Sequence, residues 1–335
     1  MLVFDAFGSA RGRKKRLGPA ASQAPAVLVI GELNVDIIAA GLAEPPQLGK
    51  ELEAKSFEVV LGSASAIFAS GLARLGHRVA FVSKVGADSF GQLCRERLAA
   101  LGVDTDWVRV ARGSTTGVTL CLSTKADRAQ VTYPGAIAEL GAGDVPRNAF
   151  RGFSHLHLSC FALQKRLRPA FAQLFAQARR GGLTTSFDPN ASLTGPMRQR
   201  ALRVLPQVDL LFLNEQEAAE LTGEKSARAA AQQLSQRAGR VIIKLGRRGA
   251  LSARDGKIVS IPGRRVRVVD TTGAGDSFAA GYVTAFLSGG SDLDCLAHGN
   301  ACGALSTRAV GGTAAQPDRR ELSRFLAAPG RKSAR

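Results

Sequence analysis

Apolar positions along this chain recur in two alternating patterns, which together predict a series of strands and helices. Short, continuous apolar runs, as expected for buried parallel strands, occupy residues 26–30, 79–82, 155–159, 184–187, 209–213 and 241–245. Runs with helical spacing occupy residues 64–75, 88–101, 167–180, 196–205, 215–221, 227–238 and 277–287. Strands that alternate with helices form a mostly parallel sheet with helices on both faces. The sequence therefore predicts a three-layer, doubly wound α/β fold over residues 26–328.

Two zones interrupt this alternation. Residues from about 36 to 61 and from about 104 to 136 are turn-rich and strand-like, with few helical periods. We expect these zones to pair as a small sheet that stands off the main domain. Residues 250–269 are expected to form hairpins that join the main sheet, and the last strand is expected to end at Asp270.

Polar side chains follow several of the predicted strands. In a doubly wound sheet, ligands bind beyond the carboxyl ends of the strands, so these side chains are expected to meet at one rim. The polar segments are 34–36, 188–190, 214–217, 244–246 and 270–276. Their convergence predicts an active site.

Residues 270–276, Asp-Thr-Thr-Gly-Ala-Gly-Asp, carry the clearest chemical signal. A strand-to-helix turn with two glycines directs backbone N–H groups and the positive end of a helix dipole at one point, which makes an anion site. Phosphoryl transfer needs such donors on the moving group and a base on the attacking hydroxyl. Asp276, in the first helical turn, is the predicted base. The alternative is an ordinary well-capped turn, since Asp, Thr and Gly are common turn residues.

Asn214 and Glu217 admit two interpretations. They lie at a strand end and one turn into the next helix, where they could hold Mg²⁺ through water. The same spacing is also that of a plain helix start, with asparagine as the N-cap and glutamate at the third helical position. Both interpretations stay open. The chain has no G-x-x-x-x-G-K-[ST] loop and no dinucleotide-binding fingerprint after its first strand.

Charge raises the question of nucleic-acid binding. The chain has 335 residues and a formal net charge of +18, of which residues 1–25 and residues 318–335 contribute +4 each. The remaining basic residues are scattered and lack aromatic neighbours, which favours a solvated surface over nucleic-acid binding.

Composition also bears on location and processing. No apolar run is close to the length of a membrane span, which is about 20 residues. Five cysteines without a C-x-x-C pair indicate reduced thiols in a cytoplasmic protein. Residues 1–25 have no apolar segment behind their basic cluster, so they indicate a disordered extension or an upstream start codon rather than a secretory signal. Residues 329–335 form a basic tail.

The stretch 270–276, with Ser277, Phe278 and Gly281 after it, resembles the C-terminal signature of the ribokinase-like (PfkB) family of sugar and nucleoside kinases. The resemblance covers nearly everything from residue 27 to about residue 326. It implies that ATP is the phosphoryl donor and that Mg²⁺ is a cofactor. It also implies that Asp276 is the catalytic base and that the anion hole consists of the amides of Gly273, Ala274 and Gly275.

Other segments match the family in the same order. Residues 31–36 resemble its first strand, whose aspartate, here Asp36, holds sugar hydroxyls. Residues 301–313, after Asn300, resemble the segment beside adenine and the monovalent-cation loop. The resemblance assigns to the nucleotide Asn190, Asn214, Lys244, Gly246, Gly249 and Asn300. It further implies that Glu217 holds Mg²⁺ through water and that Asp270 and Thr272 help to build a K⁺ site. The two turn-rich zones match the family's substrate lid, which in several members also forms a homodimer interface.

One segment departs from the family pattern. The N-terminal signature normally has two glycines and then an asparagine that contacts the substrate, whereas this chain has Gly62, Ser63 and, in place of the asparagine, Ile67. A buried isoleucine cannot bond a hydroxyl, so one substrate contact is missing or is supplied elsewhere, and the resemblance does not by itself imply ribose or fructose specificity. The leading hypothesis is an ATP-dependent kinase of a small sugar or sugar acid, which is held by Asp36 and the 62–67 segment. The alternatives are a nucleoside kinase of the same fold and a ligand-binding homologue without turnover.

Overall fold

The computed structural model describes residues 25–125 and 127–328. The predicted basic tail and, apart from Pro25, the predicted N-terminal extension lie outside these residues. The strands are β1 (Ala26–Ile30), β2 (Asn34–Leu42), β3 (Ser56–Leu61), β4 (Arg78–Gly86), β5 (Val108–Ala111), β6 (Gly117–Thr124), β7 (Arg128–Tyr133), β8 (His155–Ser159), β9 (Thr184–Asp188), β10 (Leu210–Asn214), β11 (Arg240–Lys244), β12 (Ala250–Arg254) and β13 (Lys257–Ile261). The α-helices are α1 (Ala64–Arg74), α2 (Ser89–Ala100), α3 (Phe171–Arg180), α4 (Gly195–Val204), α5 (Glu215–Thr222), α6 (Ala227–Leu234), α7 (Ala274–Leu287), α8 (Asp292–Ser306) and α9 (Arg319–Ala327).

The main sheet has nine strands in the order β13-β12-β11-β10-β9-β8-β1-β4-β5. The strands from β11 to β5 pair in parallel, and the hairpin of β12 and β13 adds two antiparallel strands at one edge. The predicted mostly parallel sheet is therefore confirmed, and so is the hairpin that joins it.

Helices cover both faces of this sheet because successive strand residues point in opposite directions. On β1, Leu28 and Ile30 pack into a core shared with α3, α4, α5 and α6. Val27 and Val29 pack into a second core, shared with α1, α2, α7 and α8. The layered α/β architecture follows from these two buried faces. In the described part of the chain, no helix is long and apolar enough to cross a bilayer.

A separate sheet of four strands, in the order β3-β2-β6-β7, confirms the predicted small sheet. The second turn-rich zone divides between the two sheets, because β5 pairs with β4 at the edge of the main sheet and only β6 and β7 belong to the small one. β2 begins four residues after β1 ends, so the chain passes directly from the carboxyl edge of the main sheet into the small sheet.

The prediction of a strand that ends at Asp270 is wrong. Residues 262–269 are irregular, and Val268 and Val269 are 55% and 54% exposed. The backbone N–H groups of Val269 and Asp270 instead donate to the carbonyl oxygen of Thr307, at 2.7 and 3.1 Å. The segment is thus held by the end of α8 rather than by a neighbouring strand.

Candidate active site

Residues 270–276, which we call the anion loop, lead into α7, whose first residue is Ala274. Gly273 precedes the helix in the left-handed region, at φ 70°, where a residue without a Cβ is favoured. A Cβ there would lie 2.8 Å from Gly312 Cα and 2.9 Å from Ile67 Cγ2, so space as well as conformation requires glycine.

The backbone donors of the anion loop are not equivalent. The N–H of Ala274 donates to the carbonyl oxygen of Thr271 at 3.2 Å, which differs from its expected role as a free donor. No acceptor among the described residues takes up the N–H of Gly273 or Gly275. These two groups, at the positive end of α7, are therefore available to bind an anion.

Asp276 lies in the first turn of α7 and is half-buried. Burial raises its pKa well above the usual range, and the negative charge of Asp188 raises it further, while the positive charge of Lys244 opposes both. A carboxylate that holds a proton this readily is suited to accept one from an attacking hydroxyl.

Lys244, at the end of β11, contacts Asp188 at the end of β9, with 2.5 Å between Nζ and Oδ2. Burial alone would lower the pKa of Lys244, but Asp188, Glu217 and Asp276 keep it above its ordinary value. The sequence pattern places Asp188 at a polar strand end and indicates no role for it. Its contact with Lys244 holds this lysine among the carboxylates of Asp188, Glu217 and Asp276.

Asn214 and Glu217 form the helix start that sequence analysis weighed as one alternative. The side-chain oxygen of Asn214 accepts from Glu217 N, and Glu217 Oε2 accepts from Asn214 N, both at 2.8 Å. Glu217 also accepts from the N–H of Ala191, which follows Asn190 at the end of β9. Burial, and then the charge of Asp188, raises the pKa of Glu217 to about 7, while the positive charge of Lys244 opposes the rise.

A cavity of about 830 Å³ lies beside the anion loop. It brings together six of the predicted residues, namely Lys244, Gly246, Gly249, Ala274, Gly275 and Asn300. Asn300 donates to Pro262 O at 3.1 Å and so fixes the irregular segment that forms one wall. Four arginines, at positions 247, 248, 264 and 265, also line the cavity, which therefore suits a large polyanion. Asn190, which is exposed and has a positive φ of 42°, does not line it.

Asp36, on β2, is buried at the base of the small sheet. Its Oδ1 accepts from Asn34 Nδ2 at 3.0 Å, and Asn34 Nδ2 also donates to Thr119 Oγ1 on β6. A Cβ on Gly62 would lie 2.1 Å from Asp36 Oδ1, which explains why a glycine must stand there. Gly62 and Asp36 thus lie against each other, and their role as an acceptor contact stays a prediction.

We predict that Asp36 contacts the acceptor and that acceptor affinity therefore falls at acid pH. Burial raises its pKa to about 6, with the hydrogen bond from Asn34 and the charge of Arg128 opposing the rise. Below that pH the carboxyl becomes neutral and accepts hydroxyl hydrogen bonds less strongly. We expect the KM for the acceptor to rise severalfold between pH 7.5 and 5.5 at saturating nucleotide. The variant Asp36→Asn, with no titrating group, should bind weakly at every pH. An unchanged KM across this range in the unmodified protein would contradict the role of Asp36.

Ser63 stands where the family signature has glycine, and it keeps the glycine-like backbone, with φ 74°. Its hydroxyl donates to Glu32 O at 2.5 Å and accepts from Ala66 N at 3.0 Å, so it caps α1. These bonds hold an L-residue in a region that it seldom adopts. The side chain of Ser63 is therefore committed to the helix start.

Ile67 is buried and packs against Gly273 of the anion loop and against Gly312. A Cβ built on either glycine would clash with the Ile67 side chain. Its carbonyl oxygen accepts from Gln316 Nε2 at 2.8 Å, and the same nitrogen contacts Ser277 Oγ on α7. Sequence analysis missed Gln316. The 62–67 segment thus supports the anion loop, in addition to bordering Asp36.

Glu32 is a second buried carboxylate that sequence analysis passed over. It accepts from the backbone N–H and the hydroxyl of Ser65, at 2.9 and 2.5 Å, and burial raises its pKa. Its negative charge also acts on Asp276. The only sign of Glu32 in the sequence is that a polar residue follows the apolar run of β1.

Asp270 and Thr272, the residues expected at a cation site, bond to each other and to Arg128 of β7. Asp270 Oδ1 accepts from the N–H and the hydroxyl of Thr272, at 2.9 and 2.8 Å, and Oδ2 accepts from Gly311 N at 2.9 Å. Arg128 Nη1 donates to Thr272 Oγ1 at 2.7 Å and lies 3.8 Å from Asp270 Oδ1. Arg128, also missed from sequence, connects the small sheet to the anion loop.

The fold and the site together define a class of protein. A doubly wound sheet presents an anion loop, a half-buried carboxylate and a polyanion cavity at one rim, and a small sheet carries a second carboxylate towards it. These are the parts required to position a phosphoryl donor and a hydroxyl acceptor. The pfkB family of carbohydrate kinases matches residues 24–319, and the chain belongs to that family.

Individual proteins show the same similarity. The chain is 35% identical to the 2-dehydro-3-deoxygluconokinase of Bacillus subtilis over 289 residues, which are 82% of this chain and 89% of that protein. The ribokinase of Arabidopsis thaliana, in complex with ribose and ATP, superposes with a TM-score of 0.79 at 25% identity and covers 91% of this chain and 100% of that one. A protein provisionally named ribokinase II from E. coli, in complex with ATP and Mg²⁺, gives 0.79 at 28% identity and covers 90% and 99%. The fold is thus ribokinase-like.

Proposed function

We propose that this protein transfers the γ-phosphoryl group of ATP to a hydroxyl group of a small sugar or sugar acid. The observation that carries the proposal is the anion loop, in which the free N–H groups of Gly273 and Gly275 lie one turn or less from the carboxylate of Asp276. Family membership and the similarity to sugar kinases support the same reaction.

The acceptor hydroxyl would be activated by Asp276. As the oxygen–phosphorus bond forms, the hydroxyl proton passes to Asp276, and the bond between the γ-phosphorus and its bridging oxygen breaks to release ADP. The N–H groups of Gly273 and Gly275 would stabilise the charge on the moving group; one such donor is worth roughly 2.7–4 kcal/mol. Lys244 would face the donor phosphates from the cavity, with Asp188 fixing its orientation.

Glu217 fits a role towards Mg²⁺, because burial and the charge of Asp188 raise the pKa of its carboxylate even though the charge of Lys244 opposes the rise. When bound, Mg²⁺ neutralises charge on the donor phosphates. Both carboxylate oxygens of Glu217 accept backbone N–H groups, so contact through water is the arrangement that this geometry favours. Within the described residues, no three His, Cys, Asp or Glu side chains converge as direct metal ligands.

A panel of acceptors tests the proposal. Ribose, fructose, 2-keto-3-deoxy sugar acids and adenosine are compared with purified protein and MgATP, with ADP release coupled to a spectroscopic readout. We expect turnover with a sugar or sugar acid. Turnover with adenosine alone would favour a nucleoside kinase, and ATP binding without ADP release from any acceptor would favour a silent homologue. The apolar Ile67 packs against the backbone at Gly273 and Gly312, so it gives no support to a nucleoside acceptor.

We also propose that the protein forms a homodimer through the outer face of the small sheet. The strand register places Ile37, Leu120 and Val131 side by side on that face, where Phe57, Leu120, Val131 and Tyr133 are between 41% and 67% exposed. The opposite face carries Asp36 and Thr119 towards the site. An apolar patch of this kind is characteristic of an interaction surface.

The double variant Phe57→Glu/Val131→Glu should be monomeric, because two buried charges per subunit would lie at a self-complementary interface. Sedimentation velocity or light scattering measures the mass. The matched control is Leu293→Glu, which changes an equally exposed leucine on α8 and should leave the dimer intact. A monomeric unmodified protein would contradict this proposal.

A further inference from the structure

Among the described residues, Arg128 is the side chain of the small sheet that makes a charged contact with the anion loop. It is the first residue of β7, and its side chain is 34% exposed. The hydrogen bond from Nη1 to Thr272 Oγ1, at 2.7 Å, spans 144 residues of sequence. Thr272 directly precedes Gly273, whose N–H is one of the two free donors for an anion.

Asp270 is the point at which three parts of the chain meet. Its carboxylate is bonded to Thr272 of the anion loop and to Gly311 of the loop after α8, and it forms an ion pair with Arg128. The small sheet also lies close to Gly311 through Val60 on β3. A Cβ built on Gly311 would lie 3.3 Å from Val60 Cγ2. The position of the anion loop therefore depends on the small sheet.

The oxygens that were expected to hold K⁺ do not fit that role. The single proton of the Thr272 hydroxyl is donated to Asp270, and the hydroxyl oxygen accepts from Arg128. Both oxygens of Asp270 already accept hydrogen bonds, and a guanidinium lies 3.8 Å from one of them. A second cation at these oxygens would be repelled by the charge of Arg128.

We propose that Arg128 is a positioning residue. Its guanidinium takes the place of a monovalent cation at Asp270 and Thr272, and it holds the anion loop in position from the small sheet. This inference rests on the proposed phosphoryl transfer at that loop. It deepens that function in one respect: the cation at the loop is part of the chain, so turnover needs no added K⁺. Without Arg128, Asp270 keeps its negative charge beside the site of the transferred phosphoryl group.

The test is the variant Arg128→Gln, assayed in 100 mM KCl and in 100 mM tetramethylammonium chloride. In the tetramethylammonium salt we expect kcat to fall by roughly tenfold to a hundredfold, the range of a charge-assisted hydrogen bond. In KCl the variant should regain a large part of this loss, because Asp270 and Thr272 are then free to bind the ion. The unmodified protein should give the same rate in both salts. Arg128→Lys should keep most of the activity, since it retains the charge.

Thermal unfolding supplies a readout that does not depend on turnover. The unfolding midpoint of Arg128→Gln should rise in KCl relative to tetramethylammonium chloride, whereas that of the unmodified protein should not. Lys125→Gln removes a positive charge from an exposed position of the same hairpin and should match the unmodified protein in both measurements.

The proposal is overturned if the unmodified protein is activated severalfold by K⁺. It is also overturned if Arg128→Gln turns over normally, or if K⁺ restores neither its rate nor its stability. Absence of kinase activity in the unmodified protein with every acceptor would instead contradict the proposed function. The K⁺-dependent unfolding of the variant would still decide the role of Arg128.

Discussion

Replacing Asp276 with asparagine should lower kcat at least about 100-fold, the lower end of the range for a general base. Asparagine keeps the size of the side chain but cannot take the hydroxyl proton. Nucleotide affinity should change little, because the free N–H groups of Gly273 and Gly275 and the side chain of Lys244 are retained. Steady-state kinetics gives kcat, and calorimetric titration with ADP gives the affinity. Near-normal turnover would remove Asp276 from the mechanism.

The matched control is Asp294→Asn. Asp294 occupies in α8 the position that Asp276 occupies in α7, the third residue after the cap, but there it accepts from Ser291. The control loses a helix cap of ordinary strength and should keep full turnover. A second check uses pH: since the pKa of Asp276 is raised, kcat of the unmodified protein should fall as acid protonates the base. The residual activity of Asp276→Asn should lack that dependence.

The geometry of residues 270–276 was predictable because it is local. One short stretch contains the glycine of positive φ, the helix start and the carboxylate, so sequence spacing alone places them together. The buried strands were predictable for the same reason, since each reads as one apolar run. The strand predicted before Asp270 failed because its valines have no neighbouring strand, and alternation alone cannot show whether a partner exists.

The missed residues share a different property, which is that their partners are remote in sequence. Arg128 bonds across 144 residues and Gln316 across 249, and neither lies in a recognisable motif. The sequence indicates at Ile67 only a lost substrate contact, whereas its side chain packs on Gly273 and Gly312. Only the folded chain shows that the altered signature segment and the small sheet both act on the anion loop.

Gly273→Ala should abolish most of the activity without touching the base. An alanine at φ 70° is strained by roughly 1–2 kcal/mol. Its Cβ would also lie 2.8 Å from Gly312 Cα, a backbone atom that cannot turn aside. The loop must therefore shift, and the N–H of Gly273 moves with it. We expect kcat to fall by about 10²–10³-fold, the loss found when one preorganised donor is removed.

Two further variants separate the effect of backbone strain from the effect of displacing the anion loop. Gly289, after α7, has a similar φ of 77° but no atom within 4 Å of its would-be Cβ. Gly289→Ala therefore carries the backbone strain alone and should unfold at a lower temperature with normal kcat. Ile67→Ala in the Gly273→Ala background removes one of the two contacts but leaves Gly312 Cα in place, so it should not restore turnover. If the double variant recovered, the side-chain contact with Ile67, rather than the loop backbone, would set the position of the anion donors.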